Sequence, residues 1–106
     1  MPIVEIQMSQ ITGWDSFHDT FAKELGFPEF YGRNMNAWID CLTYENDGMT
    51  AYPVPPGDIL TLQLLDCREF RARCPEIYEA LIDCTAFVNW SRIELGDRPI
   101  LALSYR

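Results

Sequence analysis

The chain has no apolar run near the ~20 residues that a membrane-spanning helix needs, so no membrane association is expected. It has a single histidine, His18, and no two cysteines at CxxC spacing. Structural zinc needs four converging ligands, usually supplied in close pairs. Cys41, Cys67, Cys74 and Cys84 are not so arranged, and no metal site is expected. Cys41 and Cys84 fall within helical patterns, where a free cysteine acts as a small buried hydrophobe, so all four are read as reduced thiols. Positive charge is scarce, with 8 Lys and Arg against 16 Asp and Glu and a net charge of −8. Nucleic-acid binding depends on cations that neutralise phosphates, and this balance excludes it. There is no Gly-rich phosphate loop and no serine-nucleophile motif. His18, between Asp15 and Asp19, is read as an exposed helix residue, and Glu76 and Glu79 as solvated acids. Neither catalysis nor a cofactor is expected. The opening Met1-Pro2-Ile3-Val4-Glu5 lacks the positive flank and apolar stretch of a secretory signal, which places the expectation in the cytoplasm.

What is present suits one domain spanning residues 1–106, with 48% hydrophobic and 23% charged residues. Ile3–Gln7 is short and β-branched, a first strand. Thr12 with Asp15 resembles a helix-starting box, and Trp14, Phe17, Phe21 and Leu25 then recur at helical spacing until Gly26, giving a helix over residues 14–25. Asn34 is a good N-cap for a helix over residues 35–44. Residues 45–58 hold two glycines and three prolines and form a long loop. Residues 59–65 are a nearly continuous apolar run, as in a strand covered on both faces. A short helix over 67–73 precedes a longer one opened by Pro75, with Ile77, Leu81, Cys84 and Val88 as its core stripe. Gly96-Asp97 turns into a closing strand over 99–104. The order implies an α/β fold: a three-stranded parallel sheet, the first strand in the middle, packed against three or four helices.

The segment from Phe27 to Thr43 carries the chemistry. An aromatic loop, Phe27-Pro28-Glu29-Phe30-Tyr31, breaks at Gly32 and runs straight into a helix. At about 100° per residue, with Asn34 as zero, Met35, Trp38 and Leu42 fall between about 40° and 100° and Ile39 near 140°. Asn36, Asp40 and Thr43 fall between about 180° and 240°, on the opposite side. Asp40 lies late in the helix, where the dipole disfavours a negative charge. Loop aromatics such as Phe27, Phe30 and Tyr31 are commonly core or loop anchors, but an acid so placed and adjoining them in sequence suits a protein-binding surface.

The same segment resembles the barstar family. Lys23-Glu24-Leu25, then Pro28-Glu29-Phe30-Tyr31-Gly32-Arg33-Asn34, then Asp40-Cys41-Leu42-Thr43 follow that family's signature, which covers about a fifth of the chain. The resemblance implies a barstar-like fold. It also implies an inhibitor that plugs the active site of a small, basic, secreted ribonuclease, with an immunity or antitoxin role for its cell. Asp40 would stand where the enzyme holds the RNA phosphate, since a carboxylate imitates a phosphate to Arg, Lys and His. The contact set it implies is Phe30, Tyr31, Gly32, Asn34, Asn36, Trp38, Asp40, Thr43, Tyr44 and Asn89, on a chain that is a monomer when free.

Several family positions differ. Phe30 replaces a tyrosine, Asn36 replaces an acid one turn before Asp40, Ile39 replaces an aromatic, and a late-helix glutamate of the family aligns near Asn89. Residues 44–52 are longer than their family counterpart and read first as a solvated connection, with a partner-specific rim of Tyr44, Glu45 and Asp47 as the alternative. These differences keep open a second reading, a module of the same fold that binds a partner other than a ribonuclease.

Overall fold

The computed structural model describes residues 2–44, 49–52 and 54–106. Glu45 and Asp47, proposed as rim residues, lie outside the described residues. The elements are β1 (Ile3–Gln7), α1 (Trp14–Leu25), α2 (Met35–Thr43), β2 (Leu60–Leu65), α3 (Cys67–Arg73), α4 (Pro75–Glu94) and β3 (Leu101–Tyr105), with a short 3₁₀ turn at Met8–Gln10. The three strands pair in parallel, so the chain has the expected α/β architecture with four helices.

The strand order differs from expectation. It is β1-β2-β3, with β2 rather than β1 in the middle. Successive strands are therefore neighbours, the commonest outcome of helical crossovers. The patterns agree with this order. In β1, Val4 and Ile6 are buried and Ile3, Glu5 and Gln7 exposed, the alternation of an edge strand with one wet face. The apolar run in β2 belongs to a centre strand, where Val4 pairs Leu62 and Leu62 pairs Leu103.

Cover on both faces of β2 is not found either. Leu60, Leu62 and Leu64 are buried, whereas Thr61, Gln63 and Leu65 on the other face are only partly so. The helices thus pack on one face of the sheet. That face and the helices enclose the largest fully buried side chains, among them Trp38, Phe17, Phe21, Phe70, Ile6, Met8 and Ile11.

The start of α1 is built differently from the Thr12–Asp15 box. The Ser16 hydroxyl oxygen accepts the backbone N–H groups of Thr12 at 2.8 Å and Gly13 at 3.1 Å, satisfying donors at the helix start. Asp15 stays in solvent in the first turn, where its charge suits the dipole. At the other end Gly26 adopts φ 66°, the left-handed cap at which glycine pays no Cβ penalty. Helix α4 begins at Pro75 as expected. Its buried stripe takes in Thr85, whose hydroxyl donates to the Leu81 carbonyl at 2.7 Å, while Cys84 is only partly covered. Arg73 clasps α3 to the stretch after β1, donating to the carbonyls of Met8 and Ile11 at 2.8–3.0 Å. No helix among the described residues is long and apolar enough to cross a membrane.

Candidate partner-binding surface

The loop before α2 is held from below and from the side. Pro28 and Tyr31 close a turn, with the Tyr31 amide donating to the Pro28 carbonyl at 2.9 Å. The Tyr31 ring turns inward against Phe27, centroids 4.7 Å apart, and is 8% exposed. Its hydroxyl reaches Nδ1 of His18 at 2.5 Å. His18 is therefore buried rather than exposed, stacked under Trp14 with centroids 5.9 Å apart. The signal was in the helical wheel: with Trp14 at zero, His18 falls near 40°, at the edge of the stripe of Phe17, Phe21 and Leu25.

Arg33 fastens the loop laterally. Its guanidinium pairs with the Asp19 carboxylate at 2.8 Å and donates to the Asp15 carbonyl at 3.1 Å, so the loop is tied to α1. Arg33 itself sits at φ 55°, a left-handed position occupied by a residue with a Cβ. A cation between Gly32 and Asn34, opposite two acids four residues apart on α1, is the sequence signal for this strap. Asn34 then caps α2 as expected, its Oδ1 accepting the Ala37 amide at 2.8 Å.

With the loop fixed, the residues expected to meet a partner divide into two sets. Phe30, Gly32, Asn34, Asn36, Asp40 and Tyr44 are exposed. Phe30 is 76% exposed, more than any other large hydrophobic side chain among the described residues, so the core makes little use of its ring. Among the described residues the Asp40 side chain has no hydrogen bond or ion pair.

Tyr31, Trp38 and Thr43 are instead buried and shape the surface from beneath. Trp38, fully buried, packs edge-on against Phe21 with centroids 6.0 Å apart. Thr43 is covered at the end of α2, where the Arg92 guanidinium from α4 donates to its carbonyl at 2.8 Å and supplies a cation at the negative end of the helix dipole. Asn89 is committed internally. Its Oδ1 accepts the amides of Ile100 and Leu101 at 2.9 Å, and its Nδ2 donates to the Leu101 carbonyl at 3.0 Å, joining α4 to β3.

Burial raises the Cys41 thiol, with some help from the adjacent Asp40 charge, to about 11, so it stays protonated behind the surface. All four cysteines are free. The exposed set thus presents one unpaired carboxylate on a helix, amide groups beside it and aromatic rings nearby. The family model described as Barstar (barnase inhibitor) matches residues 1–98, everything up to the turn before β3. The chain belongs to the barstar family. Barstar membership carries a barnase-inhibitor-like role in general terms, with a ribonuclease as the kind of protein bound. The barstar family is one of inhibitors, not enzymes.

Proposed function

We propose that this chain inhibits a small, basic, secreted ribonuclease by seating the loop and the outer face of α2 in its active-site cleft. In this reading Asp40 takes the place of a substrate phosphate. The observation that carries it is the Asp40 carboxylate, exposed on α2 with no partner among the described residues. A catalytic site that cradles RNA phosphates offers cationic groups, and these pair as well with a carboxylate fixed on a helix. Asn36, Asn34 and Gly32 form the docking edge, Phe30 and Tyr44 are the aromatic anchors, and buried Tyr31, Trp38 and Thr43 hold the backbone beneath them. Asn89 acts indirectly, by holding α4 to β3.

The net charge of −8 fits the same role, because opposite charge steers encounter with a basic enzyme. Such an inhibitor acts in the cytoplasm as an immunity protein or antitoxin, protecting its cell from the enzyme before export. The test is affinity capture from the source cells and their medium, with wild-type and Asp40→Ala baits in parallel. Ribonuclease activity released from the wild-type bait and absent from the variant is the expected result. Equal capture by both baits of a protein without ribonuclease activity would overturn the reading in favour of another partner class.

A further inference from the structure

A second concave site lies away from the loop and α2, at the carboxyl ends of β2 and β3. It is a pocket of about 220 Å³ lined by Cys67, Arg68, Arg71, Tyr78, Tyr105 and Arg106. The charge there is unexpected, because three of the chain's eight basic residues converge on it. Three of the other four arginines are used internally: Arg33 pairs with Asp19, Arg73 clasps the carbonyls of Met8 and Ile11, and Arg92 binds those of Thr43 and Arg98.

Arg68, Arg71 and Arg106 have no carboxylate partner among the described residues. Asp66 and Glu69, the nearest acids in sequence, do not line the pocket. Three like charges brought together repel one another unless an anion joins them. Their placement is nevertheless built in. Arg68 and Arg71 stand three apart on one face of α3. Arg71 lies over the Tyr78 ring at 5.4 Å from its centroid, and Tyr78 neighbours Tyr105 at 6.5 Å. Arg106 is pinned to the sheet through its amide, which donates to the Leu64 carbonyl at 3.0 Å.

We propose that this pocket binds a phosphate group, as the free ion or as the monoester of a small molecule, clamped by Arg68, Arg71 and Arg106. Guanidinium groups match phosphate oxygens with paired N–H donors. The Tyr105 hydroxyl, whose pKa burial raises, stays protonated and offers a further donor. The space is below the roughly 300–1,000 Å³ of sites for drug-sized ligands, so the occupant is a phosphate with at most a sugar-sized group attached.

The test is an amide NMR titration of the full chain with ribose 5-phosphate, inorganic phosphate and ribose as separate arms. Saturable shifts around Arg68, Arg71, Tyr78 and Tyr105, with a Kd of about 1 mM or tighter, are expected. Arg68→Gln and Arg71→Gln weaken binding at least about tenfold, the effect of removing one charge-assisted contact, whereas Arg98→Gln leaves it unchanged. Equal affinity for phosphate and its ester assigns the free ion, and tighter binding of the ester assigns the monoester. Absence of saturable shifts, equal binding in all three variants, or binding of ribose alone would overturn the proposal. None of these outcomes depends on Asp40.

Discussion

The Tyr31 hydroxyl and Nδ1 of His18 share a hydrogen bond beneath the aromatic loop, joining that loop to the middle of α1. Burial raises the pKa of the hydroxyl, so it stays protonated beneath the loop. Burial, and then the Arg33 charge, lower the His18 pKa from 6.5, outweighing the opposite pull of Asp15 and Asp19.

The unfolded chain therefore binds a proton at His18 in a window where the folded chain does not. This contribution to stability is complete above pH 6.5 and is lost as pH falls through that value toward the lower folded pKa. Urea midpoints measured at about pH 7.5 and about pH 5.5 should fall with acidification in the wild type, and by less in His18→Gln. An equal fall in both proteins would show that His18 is not the group responsible.

Gly26 is fixed by two independent constraints, so Gly26→Ala should destabilise strongly. Its φ of 66° is left-handed, and an added Cβ would lie 2.6 Å from the Ala51 Cβ and 3.2 Å from the Ala51 amide nitrogen. That amide donates to the Leu25 carbonyl at 2.8 Å, so retreat would break a helix-end bond. The left-handed penalty alone is about 1–2 kcal/mol, and the clash adds to it. Gly96, at φ 84° with open space around it, is the control. Gly96→Ala should cost only the backbone penalty, and denaturant midpoints of equal size for the two variants would contradict the packing argument.

Much of this fold was legible because local pattern determines it. The spacing Trp14, Phe17, Phe21, Leu25, the stop at Gly26 and the N-cap at Asn34 placed α1 and the start of α2 where they are found. Strand order was not legible, because β1 and β2 are both short apolar segments and their positions depend on long-range pairing. The alternation of Ile3, Glu5 and Gln7 against Val4 and Ile6 was the available clue to an edge.

On the surface, the exposed faces of Asn36 and Asp40 followed from the helical wheel. Thr43 shares that side of the wheel and is buried all the same, at the end of α2 where α4 packs and Arg92 meets its carbonyl. The loop has no period, so nothing in its sequence distinguishes the inward ring, Tyr31, from the outward one, Phe30. The bonds of Asn89 to Ile100 and Leu101 leave no local signal, because they join α4 to β3.

Thr43→Val should be neutral or stabilising. The Thr43 hydroxyl oxygen is buried and has no hydrogen-bond partner among the described residues. Valine keeps the shape and a similar helix propensity, and it removes the unsatisfied group, whose burial costs about 1–3 kcal/mol. The thermal midpoint should hold or rise by a few degrees, with partner binding unchanged because the side chain lies beneath the surface. A clear loss of stability would show that the hydroxyl is satisfied in solution, by water for example.

Asn36→Asp tests the electrostatics of the binding face without removing anything from it. Asn36 lies in the first turn of α2, where an added negative charge suits the dipole by about 0.3–1 kcal/mol. Repulsion from Asp40, four residues on, returns about 0.2–0.5 kcal/mol, so stability should change little. Association with a basic ribonuclease should quicken, and the gain should shrink as salt shortens the Debye length from about 30 Å at 0.01 M to about 8 Å at 0.15 M. Asp40→Ala is the counterpart: it should cost about 2–5 kcal/mol of binding, mainly through faster dissociation, because it leaves the enzyme's buried cations unpaired. Stopped-flow association at two salt concentrations separates the cases. An Asn36→Asp rate that matches the wild type at low salt would mean that this face is not where the basic partner approaches.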